Sequence, residues 1–239
     1  MTATRLIPLP HGITLSCRMA GDPGRPVLMF VHGFPEAAFV WDGLLDHFAR
    51  PENGGYFCIA PNLRGFEQSS APTDPAAYRA KHLVQDIAAL IAHVSPGRPL
   101  QALVAHDWGG AVAWSVAATL PELAERLVII NSPHPGTFLR ELQHSPEQQA
   151  ASAYMNFLIR PDAEKLLAED DFRRLWQFLT NGKDPAASGL PAWLTEEVRD
   201  QYRAVWRAGL TGGCNLYRAS PLRPPRPGDP AAAAVTLPP

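Results

Sequence analysis

Leu103-Val104-Ala105-His106-Asp107-Trp108-Gly109-Gly110 is the stretch on which the fold turns. It opens as a short apolar run, of the kind that forms a strand buried on both faces. It then passes through one acidic residue into two glycines and the apolar pattern of a helix expected over 110–120. A strand that enters a helix through so tight a turn holds its central residue in strained backbone. Bulky side chains two positions to either side would clash there. Ala105 and Gly109 occupy those two positions, which marks Asp107 as a candidate nucleophile. An aspartate before a helix is otherwise an ordinary cap. The buried strand before it and the small flanking residues set this one apart.

Working outward, the first 130 or so residues alternate strands with helices. Ile13 to Met19 alternates apolar and polar residues like a half-buried strand, and Pro26 to Val31 is a continuous apolar run ending near Gly33. Tyr56 to Ala60, Leu100 to Val104 and Leu127 to Asn131 read as further strands. Trp41 to Phe48 and Tyr78 to Val94 carry apolar residues at helical spacing, the second through Leu83, Ile87, Leu90 and Ile91. Such alternation predicts an α/β fold with a doubly wound, mostly parallel sheet. Pro135 to Trp206 is helical in period, with breaks near Asn181-Gly182 and Pro185, and reads as a helical insertion packed on the sheet. The expected organisation is a core over residues 1–133, a helical cap over 134–218, and a Pro-rich extended linker over 219–239.

Bulk composition narrows the function classes. With 46% hydrophobic and 18% charged residues, the chain can bury a core as a soluble globular protein does. A formal net charge of −2 gives no electrostatic case for nucleic acid or an acidic membrane surface. No signal segment or membrane span is evident. Cys17, Cys58 and Cys214 form no paired motif, and a reducing, cytoplasmic setting for a monomer or homo-oligomer is expected. Cys58 reads as core filler.

The motifs together resemble the epoxide hydrolases of the α/β-hydrolase superfamily. They are His32-Gly33-Phe34-Pro35, Arg64-Gly65-Phe66 with Ser69-Ser70-Ala71-Pro72, and His106-Asp107-Trp108-Gly109-Gly110. The likeness runs from about residue 5 to the end. It implies that the amides of Phe34 and Trp108 form an oxyanion hole, that His32 and His106 are structural, and that Asp107 is the nucleophile. It also implies that two cap tyrosines protonate the opening epoxide. Tyr217, in Asn215-Leu216-Tyr217-Arg218, and Tyr154, in Tyr154-Met155-Asn156-Phe157, match those tyrosines. Tyr202 and Tyr78 lack a motif and read as packing. The implied partners are a small-molecule epoxide and water, with no cofactor or metal.

Aspartate in place of serine fits that chemistry. A carboxylate attacking a saturated carbon gives an ester that water can later cleave, whereas a serine would give an ether with no such exit. The alkoxide leaving group is strongly basic and needs a donor such as a phenol. The same motifs occur in haloalkane dehalogenases, and the alternative reading is a haloalkane or haloacid dehalogenase, which would hold the departing halide with side-chain N–H donors. Trp108 offers one, but Phe34 stands where the second often sits and offers none. A third reading is a non-catalytic protein that binds a ligand or partner through its cap.

The superfamily order of nucleophile, acid and histidine implies a water-activating histidine late in the chain. The last histidine is His144, and Asn131 and Ser132 occupy the alternative acid position. The expectation is therefore a chain that lacks the final strands and helices, captures its substrate without turnover, and exposes a sheet edge that lowers solubility.

Overall fold

The computed structural model describes residues 2–183 and 191–226. Six strands form one mixed sheet: β1 (Ala3–Pro8), β2 (Thr14–Ala20), β3 (Val27–Val31), β4 (Phe57–Pro61), β5 (Ala102–His106) and β6 (Leu127–Ile130). Their spatial order is β1-β2-β4-β3-β5-β6. β4, β3, β5 and β6 run parallel, and β1 and β2 join antiparallel at one end. Every residue of β3 and β4 is buried, as their unbroken apolar runs predict. β2 is more deeply buried than the half-buried strand expected there. β1 has no counterpart in the expected elements: its residues are mostly exposed, so it leaves no alternating signature.

Helices cover both faces of the sheet. Val27, Met29 and Val31 point to a cluster built with α2 (Ala80–Val94) and α3 (Trp108–Thr119), through Ile87, Leu90, Val112 and Val116. Leu28 and Phe30 point the other way, onto Trp41 and onto Leu45 of α1 (Asp42–Phe48). Among the described residues β6 is the far edge, paired on one side only, with Val128 and Ile130 exposed. The helix after β5 begins at Trp108 rather than near Gly110, so Asp107 is the last residue before it.

Beyond β6 come α4 (Pro135–His144), α5 (Pro146–Ala151), α6 (Tyr154–Leu158), α7 (Ala163–Leu179), α8 (Glu196–Ala208) and α9 (Thr211–Ala219). The break expected near Asn181-Gly182 appears as the end of α7 at Leu179, followed by Asn181 at φ 53°. α7 is also interrupted internally at Glu169–Phe172, which its helical composition does not foretell. Ala219, expected in the linker, closes α9, and residues 220–226 follow without helix or strand. Pro185 and the tail over 227–239 lie outside the described residues. Among the described residues no helix is long and apolar enough to cross a membrane.

The strand order sets the site. From β3 the chain moves to β4 on one side, then returns to place β5 on the other. The crevice at the carboxyl ends of β3 and β5 is therefore the switch point where open α/β sheets hold ligands. His32-Gly33-Phe34 and His106-Asp107 leave the sheet at that crevice.

Candidate active site

Asp107 takes φ 51° and ψ −121°, a backbone conformation that non-glycine residues rarely adopt. Its side chain makes no capping bond to α3, which removes the simple helix-cap reading. Instead the Phe34 N–H donates to Asp107 Oδ1 at 2.8 Å, and the Trp108 N–H also donates to the carboxylate. The turn closes only because Gly109 is bare: a Cβ there would overlap the carbonyl of Val31. Desolvation pushes the Asp107 pKa above the ordinary carboxylate range, opposed by the two amides and by His106. A carboxylate held by two N–H donors remains an acceptor and a nucleophile through its other oxygen.

The loop that carries Phe34 is braced from three directions. His32 is buried, with Nδ1 at 2.9 Å from the Gly33 carbonyl and Nε2 accepting the Leu63 N–H at 3.1 Å. Burial lowers its pKa to about 4, so it stays neutral. Trp206 of α8 donates its indole N–H to the Pro35 carbonyl at 2.7 Å. Glu36 takes the Tyr202 hydroxyl at 3.2 Å and faces His106 Nδ1 at 3.2 Å. The bond to Glu36 raises the His106 pKa against the lowering effect of burial. Sequence patterning gives no sign of Glu36, whose partners lie 70 and 166 residues away. Tyr202 and Tyr78 are buried as packing predicts, and Tyr78 spends its hydroxyl on the Pro72 carbonyl at 2.9 Å.

The two motif tyrosines reach the same crevice from the helical segment. α9 lies directly on the Arg64-Gly65-Phe66 turn, because a Cβ on Gly212 would overlap Gly65 itself. That approach brings the Tyr217 ring edge-to-face with Trp108 at 5.1 Å and with Phe34 at 5.5 Å. Arg218 anchors the same helix with a two-pronged ion pair to Glu164 at 2.5 and 2.8 Å, and Asn215 donates to the Thr73 carbonyl at 3.2 Å. Tyr154, at the start of α6, lies with its ring centroid 6.1 Å from that of Tyr217.

These groups form one set of touching rings. The Trp108 and Tyr217 rings and the Tyr217 and Tyr154 rings meet edge-to-face, and their polar groups influence one another's protonation. Burial raises both phenols, and the charge of Asp107 raises them further; Tyr154 reaches about 12. Asp107, Phe34, Trp108, Tyr154 and Tyr217 therefore meet at one place. Cys17, Cys58 and Cys214 are buried free thiols, each pushed up to about 12 by burial. Among the described residues no cluster of three or more His, Cys, Asp or Glu could hold a metal ion.

Comparison with known proteins places these features in a family. The alpha/beta hydrolase fold profile matches residues 26–203. The AB hydrolase superfamily protein YfhM of Bacillus subtilis is 35% identical over 212 residues, covering 87% of this chain and 70% of its own length. Epoxide hydrolase 4 of Mus musculus is 32% identical over 202 residues, covering 83% of this chain; the chain spans only about half, 54%, of that relative. A solved structure described as one of several novel epoxide hydrolases from metagenomes of hot environments superposes with a TM-score of 0.81 at 34% identity. It covers all of this chain, which spans 78% of it.

Proposed function

The chain belongs to the epoxide hydrolases of the α/β-hydrolase fold, and on that premise we propose that it opens epoxides by covalent capture on Asp107. The observation that carries this reading is a carboxylate held by the Phe34 amide at 2.8 Å within the electrostatic reach of two phenols whose rings meet edge-to-face. The free oxygen of Asp107 attacks a saturated epoxide carbon, and the ring carbon–oxygen bond breaks. The departing oxygen takes the hydroxyl proton of Tyr154 or Tyr217, leaving an ester and a phenolate that water reprotonates.

The electrostatics favour this order of events. The Asp107 anion makes both phenols weaker acids while the site is empty. Attack converts that anion into a neutral ester and removes the penalty, so the phenols become better donors as the alkoxide forms. Stabilisation that grows toward the transition state is what accelerates a step.

Release of the diol requires water to attack the ester carbonyl, with the Phe34 and Trp108 amides carrying the charge on its oxygen. The histidines nearest Asp107 are committed elsewhere: His32 is neutral and bonded at both nitrogens, and His106 turns Nδ1 to Glu36. The proposed observable outcome for the described residues is the ester on Asp107.

Intact-mass measurement after incubation with styrene oxide tests both parts. One added epoxide mass per chain, absent in Asp107→Asn, is expected. Sustained diol release would refute the trapped ester, and folded protein that gains no mass would refute capture.

A further inference from the structure

Phe178 of α7 takes no part in the chemistry above, yet it completes the aromatic enclosure of the site. Its ring meets Phe34 edge-on at 6.3 Å and 72°, and Tyr154 at 5.5 Å and 69°. Both of those rings rest on Tyr217. Phe178 nevertheless remains 36% exposed, and Tyr154 remains 38% exposed. Two large rings, in contact with each other and with the site, therefore stand partly in water at its mouth. An apolar group seated against them would remove that surface from water. An aromatic group would add the edge-to-face attraction that these rings already use among themselves.

The position of Phe178 is built rather than incidental. Within α7, Asp170, Asp171 and Phe172 take left-handed backbone at φ 52°, 51° and 63°, which is unfavourable for each of these residues. The break redirects the segment that carries Trp176 and Phe178. Side chains hold it. The Trp176 indole N–H donates to the Asp171 carbonyl at 2.8 Å, and Arg203 of α8 donates to Asp171 Oδ2 at 2.9 Å. The Arg203 guanidinium also lies 5.5 Å from the centre of the Trp176 ring.

Resting on the proposed capture at Asp107, we infer that Phe178 is a specificity-determining residue that selects epoxides bearing an aromatic substituent, and that the Asp171–Arg203 pair positions it. None of the three residues moves a proton or touches the reacting atoms. Their effect falls on which epoxide is seated, not on the ring opening itself.

The test compares rates of covalent mass gain by the full chain with phenyl glycidyl ether and methyl glycidyl ether, whose epoxide groups are alike. The wild type should gain the phenyl compound faster. Phe178→Ala should lose about tenfold with the phenyl compound and little with the methyl compound, as expected for an edge-to-face pair plus burial. Phe178→Leu keeps bulk without the ring and should fall between the two, with circular dichroism reporting that both variants fold. Arg203→Met should shift the ratio in the same direction, by about threefold. An unchanged phenyl-to-methyl ratio in folded Phe178→Ala, or a wild type without preference, overturns the inference while leaving capture intact. No mass gain with either compound overturns the capture reading itself, and the inference with it.

Discussion

The two sides of the crevice are held in different ways. On the sheet side, Asp107, Phe34 and Trp108 are fixed by backbone: a strained turn, two amide donors and a glycine against a carbonyl. On the helical side, Tyr154, Tyr217 and Phe178 are fixed by side chains: ring contacts, the Arg218–Glu164 pair and the Arg203–Asp171 pair. Backbone placement leaves little room for variation, because the donors belong to the fold itself. Side-chain placement can change one residue at a time. The difference suits a site whose reaction is constant and whose choice of substrate is adjustable.

The sharpest way to break the sheet side is Asp107→Asn. Mass gain from an epoxide should vanish, since an amide is no comparable nucleophile. Thermal stability at neutral pH should stay level or rise, because the burial that raises the Asp107 pKa also destabilises its charged form. For the same reason the capture rate of the wild type should fall as pH drops through that raised pKa, which a pH series of mass-gain rates would follow. A melting temperature well below wild type for Asp107→Asn would show that the carboxylate supports the fold.

The helical side should give next. Tyr217→Phe with Tyr154→Phe removes both proposed proton donors and should slow capture by roughly 100-fold or more, the usual contribution of a positioned general acid. Each single change should cost less, because the partner phenol remains. Comparable loss in either single variant would point to only one donor.

The join between the two sides is tested by Gly212→Ala. A methyl group there must displace Gly65, so α9 should be pushed off the turn, with a loss of about 1–3 kcal/mol in chemical denaturation. Capture should fall with it, because Tyr217 rides on α9. Unchanged stability would mean that the helix yields freely.

The smallest expected effect concerns Glu36, which touches both sides. Its bond raises the His106 pKa above 6.5. A raised histidine stabilises the fold most below its unfolded value, and that contribution is lost as pH climbs through the folded one. Glu36→Gln should therefore lower the melting temperature at about pH 5.5 and converge on wild type toward about pH 9. The groups are partly exposed, so the effect should be about 1 kcal/mol or less. A pH-independent deficit would assign Glu36 to Tyr202 alone.

What could be read from sequence follows the same division. β3, β4 and the Asp107 turn are written in consecutive residues, where apolar runs and small neighbours have one physical meaning. Tyr154 and Tyr217 were legible only through the motifs around them, since buried tyrosines such as Tyr78 look no different locally. Glu36, Phe178 and the left-handed break in α7 were not legible. Their environments come from partners far along the chain, and residues 163–179 have the composition of an unbroken helix. β1 escaped for the opposite reason, being too exposed to carry a pattern.

The three cysteines give the molecule one more property. Epoxides alkylate thiolates, and a thiol with a pKa near 12 is almost never a thiolate at neutral pH. Cys17, Cys58 and Cys214 are buried as well. If Asp107 captures epoxides as proposed, burial and a raised pKa keep the softer sulfur nucleophiles from competing with it.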